Sequence, residues 1–522
     1  MIDASTAYKA AIIGDSRRMY IKAKVHIVDP DIVYGSVSGT EQSAYSKPAQ
    51  LHNDVSDSGK PYITGEPNRW LLDGTFDFAE DVYADSNSEI GYETDTLFAA
   101  DGTGNQYCEM TFSGVDVLQA LTVFFPDNEY DGFPVNLTIS VKSGNTTAYN
   151  KSITGNTERK IKLDGFTVND PTAIRVEVSK WSSRRRFRVL EIVAGIHEEW
   201  SDDVIASFSV VHQTNFSSTT LPYGTATIVF DNTDHRFDPY NKDGIFASLE
   251  ERQGIDLYLG VGIDGEPDYK KLGVFYQYQD GWKIRNGLTI RWNLVDIIGL
   301  LAERPYAIPT TLPTTLNGWI ADLVGQLGTK FAQMYDISSE KASASVTASS
   351  TNLQKRNCGE ILMFLCQATG TWARADPETG KLSIYPITDP AGNEITLANM
   401  NEYPAITANE ELSRIDFTFP DGTEYSVAGT NPAATALSIS NPFINTTAKA
   451  DAAAAVIMAY YGGNCIETTG RGDPTNELGD IMTIETQNGD KAGRLVYADY
   501  KYRNGVLTAC VSKFIEVIEE VR

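Results

Sequence analysis

Cysteine and histidine are both scarce in this sequence. The five cysteines are scattered and odd in number, and the five histidines are dispersed over 522 residues. No CxxC pair is present, which excludes the usual zinc and redox motifs and gives no sign of a disulfide framework. No HExxH spacing is present either, which excludes the common metallopeptidase motif. We therefore predict no metal and no cofactor.

Sequence signatures of catalysis are missing as well. The chain has no GxSxG nucleophile motif and no GxxxxGK[ST] phosphate-binding loop. One class stays open, because glycoside hydrolysis needs only two carboxylates close together and so acidic a chain offers many pairs. We therefore predict that the protein is not an enzyme, with a polysaccharide depolymerase as the third-ranked alternative.

The sequence also has few basic residues relative to acidic ones, and it lacks long apolar runs. Lys and Arg number 43 against 69 Asp and Glu, which gives a net charge of −26. This balance repels phosphate backbones and excludes a general nucleic-acid binder. No stretch approaches the roughly 18 apolar residues of a membrane-spanning helix, and the first residues lack a basic segment followed by an apolar run. These features predict a soluble protein made in a reducing cytoplasm.

Most of the remaining sequence is typical of strands. Residues 21–27 alternate apolar and polar side chains, the period of a half-buried strand. Residues 35–60 are then rich in Ser, Gly, Asn and Asp without apolar periodicity, which predicts a linker or a long surface excursion at a domain boundary. From 60 to 197, short strands such as 135–141 alternate with turns and predict a β-sandwich.

This sandwich segment carries four motifs that belong together. They are 68–74 (Asn-Arg-Trp-Leu-Leu-Asp-Gly), 90–92 (Ile-Gly-Tyr), 179–181 (Ser-Lys-Trp) and 191–196 (Glu-Ile-Val-Ala-Gly-Ile). In this order they resemble the discoidin, or galactose-binding-like, modules found in tail proteins of phages that infect Gram-positive bacteria. The resemblance implies a β-sandwich and identifies no particular ligand.

Four residues of the sandwich segment are candidates for surface contact: Trp181 and the run Arg184, Arg185 and Arg186. Trp181, like Trp70, could stack on a sugar ring, but an aromatic beside a strand more often fills a core, and we favour core packing. The arginines could grip an acidic glycan or a partner's carboxylates. A solvated turn between two strands is the simpler interpretation, and we favour it.

The strongest resemblance begins after residue 200. A strand ending in Asp231-Asn232 leads to Phe237-Asp238-Pro239-Tyr240-Asn241, a Gly-Ile step at 244–245 and an Arg-Gln pair at 252–253. This order is similar to the first β-barrel of phage tail hub, or tail-tip, proteins. The density of Asp and Asn also fits a calcium loop, because hard cations take several oxygens at close spacing. The spacing does not match an EF-hand, so we favour Asx turns.

Helical periodicity appears in the middle of the chain and again near its end. Residues 320–327 and 361–368 predict two helices, each closed by a glycine, and residues 371–386 predict a hairpin. This order resembles the middle domain of tail hubs. In a later alanine-rich helix, the face that we expect to pack tightly comprises Ala452, Ala455, Val456, Ala459 and Tyr460.

An Arg-Gly-Asp triplet follows the alanine-rich helix and invites a cell-adhesion interpretation, which requires a flexible, exposed loop in an extracellular setting. Between a helix and a strand, however, Gly472 supplies turn geometry, Asp473 can bond the nearby backbone and Pro474 stops further helix. We therefore predict a structural turn of Arg471, Gly472, Asp473 and Pro474. The segment around it resembles the final barrel of tail hubs.

Together these patterns predict a multidomain, mainly β chain with an α+β middle region. The segments expected are 1–59, the first part of a hub β-barrel with a linker; 60–197, an inserted discoidin-like β-sandwich; 198–304, the remainder of that barrel; 305–425, an α+β domain; and 426–522, a second hub β-barrel with the alanine-rich helix.

The hub resemblance implies a function. It implies a structural protein of a phage or phage-like particle, the central hub of the tail tip or baseplate, located in the virion and assembled in the host bacterial cytoplasm. The implied partners are further copies in a homotrimer, the distal tail protein, the tail tube and other baseplate proteins, with DNA only in transit through the lumen. The alternative is a carbohydrate- or receptor-binding tail protein that recognises host cell-wall polysaccharide.

Overall fold

A computed structural model of the chain describes residues 4–14, 17–28, 32–53, 61–69, 71, 73–79, 89–235, 237–238, 254–263, 265–285, 288–388, 390–409, 411–508 and 510–517. The chain forms two compact units. Unit 1 comprises Met1–Val25 and Glu199–Arg522, and unit 2 comprises His26–Glu198. Both are built mainly from strands, which confirms the predicted fold class. None of the helices in the described ranges is long and apolar enough to cross a membrane.

The chain enters unit 1 through helix α1 (Thr6–Ile13) and strand β1 (Met19–Val28). Ser5 caps the helix, because its hydroxyl accepts a hydrogen bond from the backbone N–H of Tyr8 at 3.0 Å. Tyr8 and Ile12 are the buried residues of α1. In β1, Ile21 is buried, as the alternating pattern predicts.

Unit 2 is a β-sandwich. Its strands are β2 (Val33–Gly39), β3 (Tyr92–Leu97), β4 (Thr103–Ser113), β5 (Val117–Leu118), β6 (Leu121–Phe124), β7 (Pro134–Ser143), β8 (Thr146–Ile153), β9 (Lys160–Leu163), β10 (Val168–Asn169), β11 (Ala173–Trp181), β12 (Arg186–Val189), β13 (Glu191–Val193) and β14 (Gly195–Ser201), the last of which returns to unit 1. A sheet of order β2-β4-β11-β7-β8 and a sheet of order β13-β6-β9 share one core, to which Val123, Val176 and Ile192 contribute. The pairs β12-β3 and β10-β5 complete the unit.

The predicted linker at 35–60 is wrong in its first residues. Strand β2 covers Val33–Gly39 and pairs with β4 at the edge of the five-stranded sheet. Its side chains are small, polar or partly exposed, so an edge strand of this kind shows no apolar periodicity. A short 3-10 helix, Pro48–Gln50, also lies within the expected linker.

After β14, unit 1 continues through β15 (Ile205–Gln213), β16 (Thr225–Asp231), β17 (Gly254–Ile263), β18 (Glu266–Arg285), β19 (Thr289–Val295), α2 (Ile297–Glu303), α3 (Leu316–Gly325), β20 (Tyr335–Ile337), α4 (Ser339–Ala342), α5 (Cys358–Thr369), β21 (Thr371–Ala375), β22 (Leu382–Pro386), β23 (Ala391–Ile395), β24 (Ala405–Thr407), β25 (Leu412–Thr418), β26 (Glu424–Ala428), β27 (Thr435–Ser440), α6 (Thr447–Gly462), β28 (Cys465–Gly470), β29 (Ile481–Ile484), β30 (Lys491–Arg503), β31 (Val506–Leu507) and β32 (Cys510–Glu516).

One sheet of 14 strands organises unit 1. Its main order is β14-β1-β17-β18-β19-β16-β15-β30-β32-β28-β24, with β29 and β31 also paired to β30 and β23 paired to β29. The pairing of β15 with β30 runs antiparallel from Ser207 opposite Arg503 to Gln213 opposite Tyr497. It joins strands from the two segments predicted to form separate barrels. Both segments therefore contribute to the same sheet.

The middle of unit 1 is an α+β region around a second core. Ile320, Leu323 and Val324 are buried on α3, as the helical period predicts. A capping box between Asn357 and Glu360 begins α5, and Gly370, with φ of 62°, ends it in the left-handed conformation. Strands β21 and β22 form the predicted hairpin.

The alanine-rich helix α6 exists, but the predicted packing face is wrong. Its buried residues are Ala450, Ala453, Ala454 and Ile457, which lie on the side facing α5, β25 and β26. Ala452, Ala455 and Ala459, from the predicted face, are exposed. Because alanine occupies both sides of the helix, the apolar period correctly predicts that the segment is helical but does not indicate which side is buried.

Candidate functional site

The four predicted contact residues lie where β11 is followed by β12 in unit 2. Trp181 ends β11, Arg184 and Arg185 lie in the connection, and Arg186 begins β12. Trp181 is 0% exposed, and its Nε1 donates to the carbonyl of Asp131 at 2.8 Å. Its ring stacks on Phe98 at 5.7 Å and meets Phe125 and Phe187 edge-on. Trp181 therefore belongs to the core and cannot make the predicted surface contact, because aromatic rings enclose its indole.

The three arginines of the run differ in what they contact. Arg184 is exposed, and no carboxylate among the described residues lies within ion-pair distance of it. Arg185 donates to the carbonyls of Tyr130 at 2.7 Å, Pro67 at 2.9 Å and Asn68 at 3.0 Å. Its guanidinium thus fixes the loop around residue 67. In this run, Arg184 is the side chain that remains open to a partner.

Arg186 instead joins a charged cluster beneath the run. Its side chain is 14% exposed, and it donates to Glu93 Oε1 at 2.8 Å and to Asp95 Oδ1 at 3.1 Å. Charge-assisted hydrogen bonds of this length are strong. Arg186 therefore ties β12 to β3 and has little capacity left for a ligand.

The centre of this cluster is Arg188, which was not predicted as a site residue from the sequence. Its guanidinium is buried and donates to Glu93 Oε2 at 2.5 Å, Asp131 Oδ1 at 2.6 Å and Glu66 Oε2 at 2.5 Å. A second buried guanidinium, that of Arg69, donates to Asp131 Oδ1 at 2.8 Å. The motif at 68–74 contains Arg69, but local periodicity cannot show that its side chain is buried. A buried charge needs oppositely charged partners, and here these come from distant segments of the chain.

The cluster contains equal numbers of acidic and basic side chains. Its carboxylates are Glu66, Glu93 and Asp131, and its guanidiniums are Arg69, Arg186 and Arg188. Burial is the largest single influence on the pKa of Glu93 and of Asp131 and acts to raise it, but Arg188 and the hydrogen-bond donors around each carboxylate together outweigh burial, and both pKa values are lowered. Burial conversely opposes the charge of Arg188, and the surrounding carboxylates raise its pKa. The cluster therefore holds the 61–69 loop rigidly against β3 and β12.

The predicted structural turn uses the Arg-Gly-Asp side chains internally. Asp473 Oδ1 accepts from the backbone N–H of Thr475 at 2.9 Å and from its hydroxyl at 2.7 Å, which is an Asx turn. Arg471 donates to the carbonyl of Gly14 at 2.7 Å. Gly472 has φ of 70°, and Pro474 is buried. An adhesion ligand needs a free guanidinium and a free carboxylate, and here both are engaged in the fold.

The acidic segment at 231–241 shows Asx geometry in its described part. Asp231 Oδ1 accepts from the N–H of Thr233 at 2.9 Å, and Asn232 Oδ1 accepts from the N–H of Phe237 at 2.9 Å. Residues 239–241 lie outside the described residues. Within the ranges that the structure describes, no group of three His, Cys, Asp or Glu side chains is placed to hold a metal ion.

The chain is similar to phage tail proteins. The tail protein from Neisseria meningitidis MC58 is 10% identical with a TM-score of 0.43, over 62% of this chain and 93% of that one. The 43 kDa tail protein of prophage MuSo2 from Shewanella oneidensis is 14% identical with a TM-score of 0.40, over 62% and 95%. A fucose binding module from Streptococcus pneumoniae is 9% identical with a TM-score of 0.21, over 32% and 95%. No protein-family model and no curated protein matches the sequence.

Proposed function

We propose that the protein is a structural component of the tail tip or baseplate of a phage or phage-like particle, where it forms the central hub at the end of the tail tube. The pairing of β15 with β30 carries this proposal, because it joins distant segments of the chain into one 14-stranded sheet. Such a sheet is a rigid scaffold, and the insertion of unit 2 after β1 leaves it continuous. The motif at 231–241 and the names of the similar tail proteins agree with this assignment.

As a hub, the protein would belong to the virion and assemble in the host bacterial cytoplasm. Its partners would be two further copies, the distal tail protein, the tail tube and other baseplate proteins. DNA would pass through the lumen without being bound, since a net charge of −26 repels phosphate. Unit 2 would contact the cell surface or neighbouring baseplate proteins.

Electron microscopy of the purified full chain, combined with binding to isolated tail tubes, tests the hub assignment. We expect a ring of three copies that attaches to one end of the tube. A chain that remains monomeric at every concentration and binds neither a tail tube nor a distal tail protein would contradict the proposal.

We infer that this role requires no catalysis. The buried carboxylates that lie close together in unit 2, Glu66, Glu93 and Asp131, are each held by guanidinium groups, so this cluster supplies no general acid and base. Incubation of the full chain with bacterial wall polysaccharides is expected to release no reducing ends. Release above the level of a heat-denatured sample would favour the depolymerase alternative.

A second candidate function is recognition of an acidic cell-wall polysaccharide by unit 2. The observation that favours it is the position of Arg184, exposed beside the side chains of Arg185 and Arg186 that anchor its loop. On an array of bacterial wall polysaccharides, Arg184→Ala should weaken binding several-fold, whereas Lys151→Ala, an exposed charge on β8, should not. A wild-type chain that binds no polysaccharide on the array would remove this candidate.

A further inference from the structure

The outward face of α6 lines a groove of about 780 Å³ in unit 1. The apolar residues that form it include Ala455, Val456 and Ala459 from α6 with Phe216, Leu412 and Ile515 from neighbouring elements. A volume of this size falls within the range that accommodates several side chains of a ligand or partner. The alanines leave the wall shallow, so a second backbone can approach closely. The groove is therefore shaped to receive a protruding apolar segment.

One carboxylate at the groove is open. Glu411 is exposed, its Oε2 accepts a hydrogen bond from the hydroxyl of Thr430 at 3.4 Å, and no lysine or arginine of the described residues lies within ion-pair distance of it. The second carboxylate, Glu516, is already paired with Lys491 at 3.1 Å. Arg494 donates to the carbonyl of Gly479 at 3.1 Å, so its guanidinium is engaged as well. An occupant of the groove should therefore bring an apolar side chain with one positive charge beside it.

The tip of the β30–β31 hairpin has these properties. Arg503 pairs with Val506 across a two-residue turn in which Asn504 has φ of 50° and Gly505 has φ of 81°. Val506 is 50% exposed. Arg503 is exposed too, and none of the described carboxylates lies within ion-pair distance of it. A valine and an unpaired guanidinium thus protrude together from unit 1.

Tyr403 is also exposed, but the charged residue beside it is Glu402, which would repel Glu411, so it fits the groove less well than Val506 does. Geometry also excludes the groove of the same chain. Arg494 at the groove and Arg503 at the tip lie on the same strand, β30, nine residues apart. This spacing corresponds to about 30 Å along an extended strand. The tip therefore reaches a groove only in another copy.

We propose that the hairpin tip Arg503–Val506 of one copy docks into the α6 groove of a second copy, with Val506 against Ala455 and Ala459 and Arg503 facing Glu411. Because the two surfaces differ, the contact is heterologous, and heterologous contacts close into rings when the rotation between copies permits. The inference rests on the proposed hub, which needs copies arranged in a ring, and it specifies the surfaces that meet.

A charge swap in the full chain tests this contact. Arg503→Glu and Glu411→Arg should each raise the dissociation constant of self-association at least tenfold, measured by sedimentation over a concentration series, because like charges then face each other. The double variant restores an opposite pair and should recover assembly. Lys151→Glu also reverses a positive charge, at an exposed residue of β8 in unit 2, and should leave assembly unchanged. Circular dichroism checks that the variants are folded.

A crosslink gives an independent measurement. The double variant Ala455→Cys with Val506→Cys should form disulfide-linked multimers on mild oxidation, whereas neither single variant should form the ladder. Single charge variants that assemble like the wild type, or a double cysteine variant that stays uncrosslinked, would overturn the contact and leave the hub assignment standing. A wild-type chain that never self-associates would also overturn it, and tube binding would then decide the hub assignment separately.

Discussion

Arg17 and Arg471 each hydrogen-bond to the backbone of the other's segment, although 454 residues separate them in sequence. Arg471 Nη1 donates to the carbonyl of Gly14 at 2.7 Å, and Arg17 Nη1 donates to the carbonyl of Gly472 at 3.2 Å. Arg17 also donates to the carbonyl of Arg471 itself. The exchange ties the segment after α1 to the turn that precedes β29, so this Arg-Gly-Asp sequence is part of the framework of unit 1.

Arg471→Ala should destabilise unit 1 by about 1–3 kcal/mol, because it removes charge-assisted hydrogen bonds to the carbonyls of Ile13 and Gly14. Arg471→Lys should recover only part of this, since an ammonium cannot span two carbonyls in the same geometry. Chemical denaturation measures the effect through the unfolding transition of unit 1. Arg184→Ala is the control and should shift stability by less than about 0.5 kcal/mol. Equal midpoints for Arg471→Ala and wild type would show that the exchange contributes nothing.

Gly472→Ala should destabilise unit 1 more than Gly489→Ala does. Both glycines have positive φ, 70° and 94°, so alanine is strained at either position by roughly 1–2 kcal/mol. At Gly472 the added Cβ would also lie 2.8 Å from Cys510 Sγ, whereas at Gly489 it meets open space. The difference between the two melting temperatures isolates the steric contribution. Equal losses would mean that Cys510 moves aside freely.

Helices and strands could be predicted from the sequence more accurately than the residues that pack against each other. The helix ending at Gly370 and the hairpin 371–386 follow from local signals, namely apolar period, a cap and turn residues, and they were predicted correctly. The buried face of α6 was not, because alanines on both sides leave no contrast for periodicity to detect. Strand β2 was missed because an exposed edge strand of small residues has no alternation to read.

At the candidate site, too, local features could be predicted from the sequence, whereas contacts between distant segments could not. Core packing of Trp181 was the favoured interpretation of an aromatic beside a strand, and the structure places the ring in the core. The run Arg184 to Arg186 was seen as a unit, yet the three side chains have separate roles that depend on Pro67, Tyr130 and Glu93, none of which is close in sequence. Arg188 could not be found from local pattern, since its three carboxylates come from three distant segments.

Arg188→Met should destabilise unit 2 by about 3–5 kcal/mol, because Glu66, Glu93 and Asp131 would keep buried negative charge without their shared partner. Arg175→Met is the matched comparison. Arg175 is half-buried, with 27% of its side chain exposed, and pairs with Glu177 on β11 and Glu109 on β4; because these carboxylates stay in contact with water, its loss should cost about 1 kcal/mol or less. The unfolding transition of unit 2 in denaturant measures both, and similar losses would contradict a special role for Arg188.

The same cluster predicts how unit 2 responds to acid. The pKa values of Glu93 and Asp131 are lowered in the folded state, because Arg188 and the neighbouring hydrogen-bond donors together outweigh burial, so the folded state binds fewer protons than the unfolded state near their ordinary values. Their contribution to stability is therefore complete above about pH 4.5 and is lost as the pH falls through the folded pKa values. In Arg188→Met this acid-dependent loss should be much smaller, which pH-jump fluorescence below pH 4.5 would show.

Glu89 should act on unit 2 in the opposite direction. Its side chain is 2% exposed, Asn53 Nδ2 donates to its Oε1 at 2.6 Å, and burial raises its pKa to about 7. A carboxyl group with a raised folded pKa binds more protons in the folded state, so stability falls as the pH rises from about 4.5 to about 7. Glu89→Gln keeps an oxygen for Asn53 and removes the proton equilibrium, so it should flatten this slope and stabilise unit 2 at pH 7 by up to about 3 kcal/mol. Glu158→Gln removes an exposed charge and should leave the slope as in the wild type. A slope that persists in Glu89→Gln would assign the pH dependence to another group.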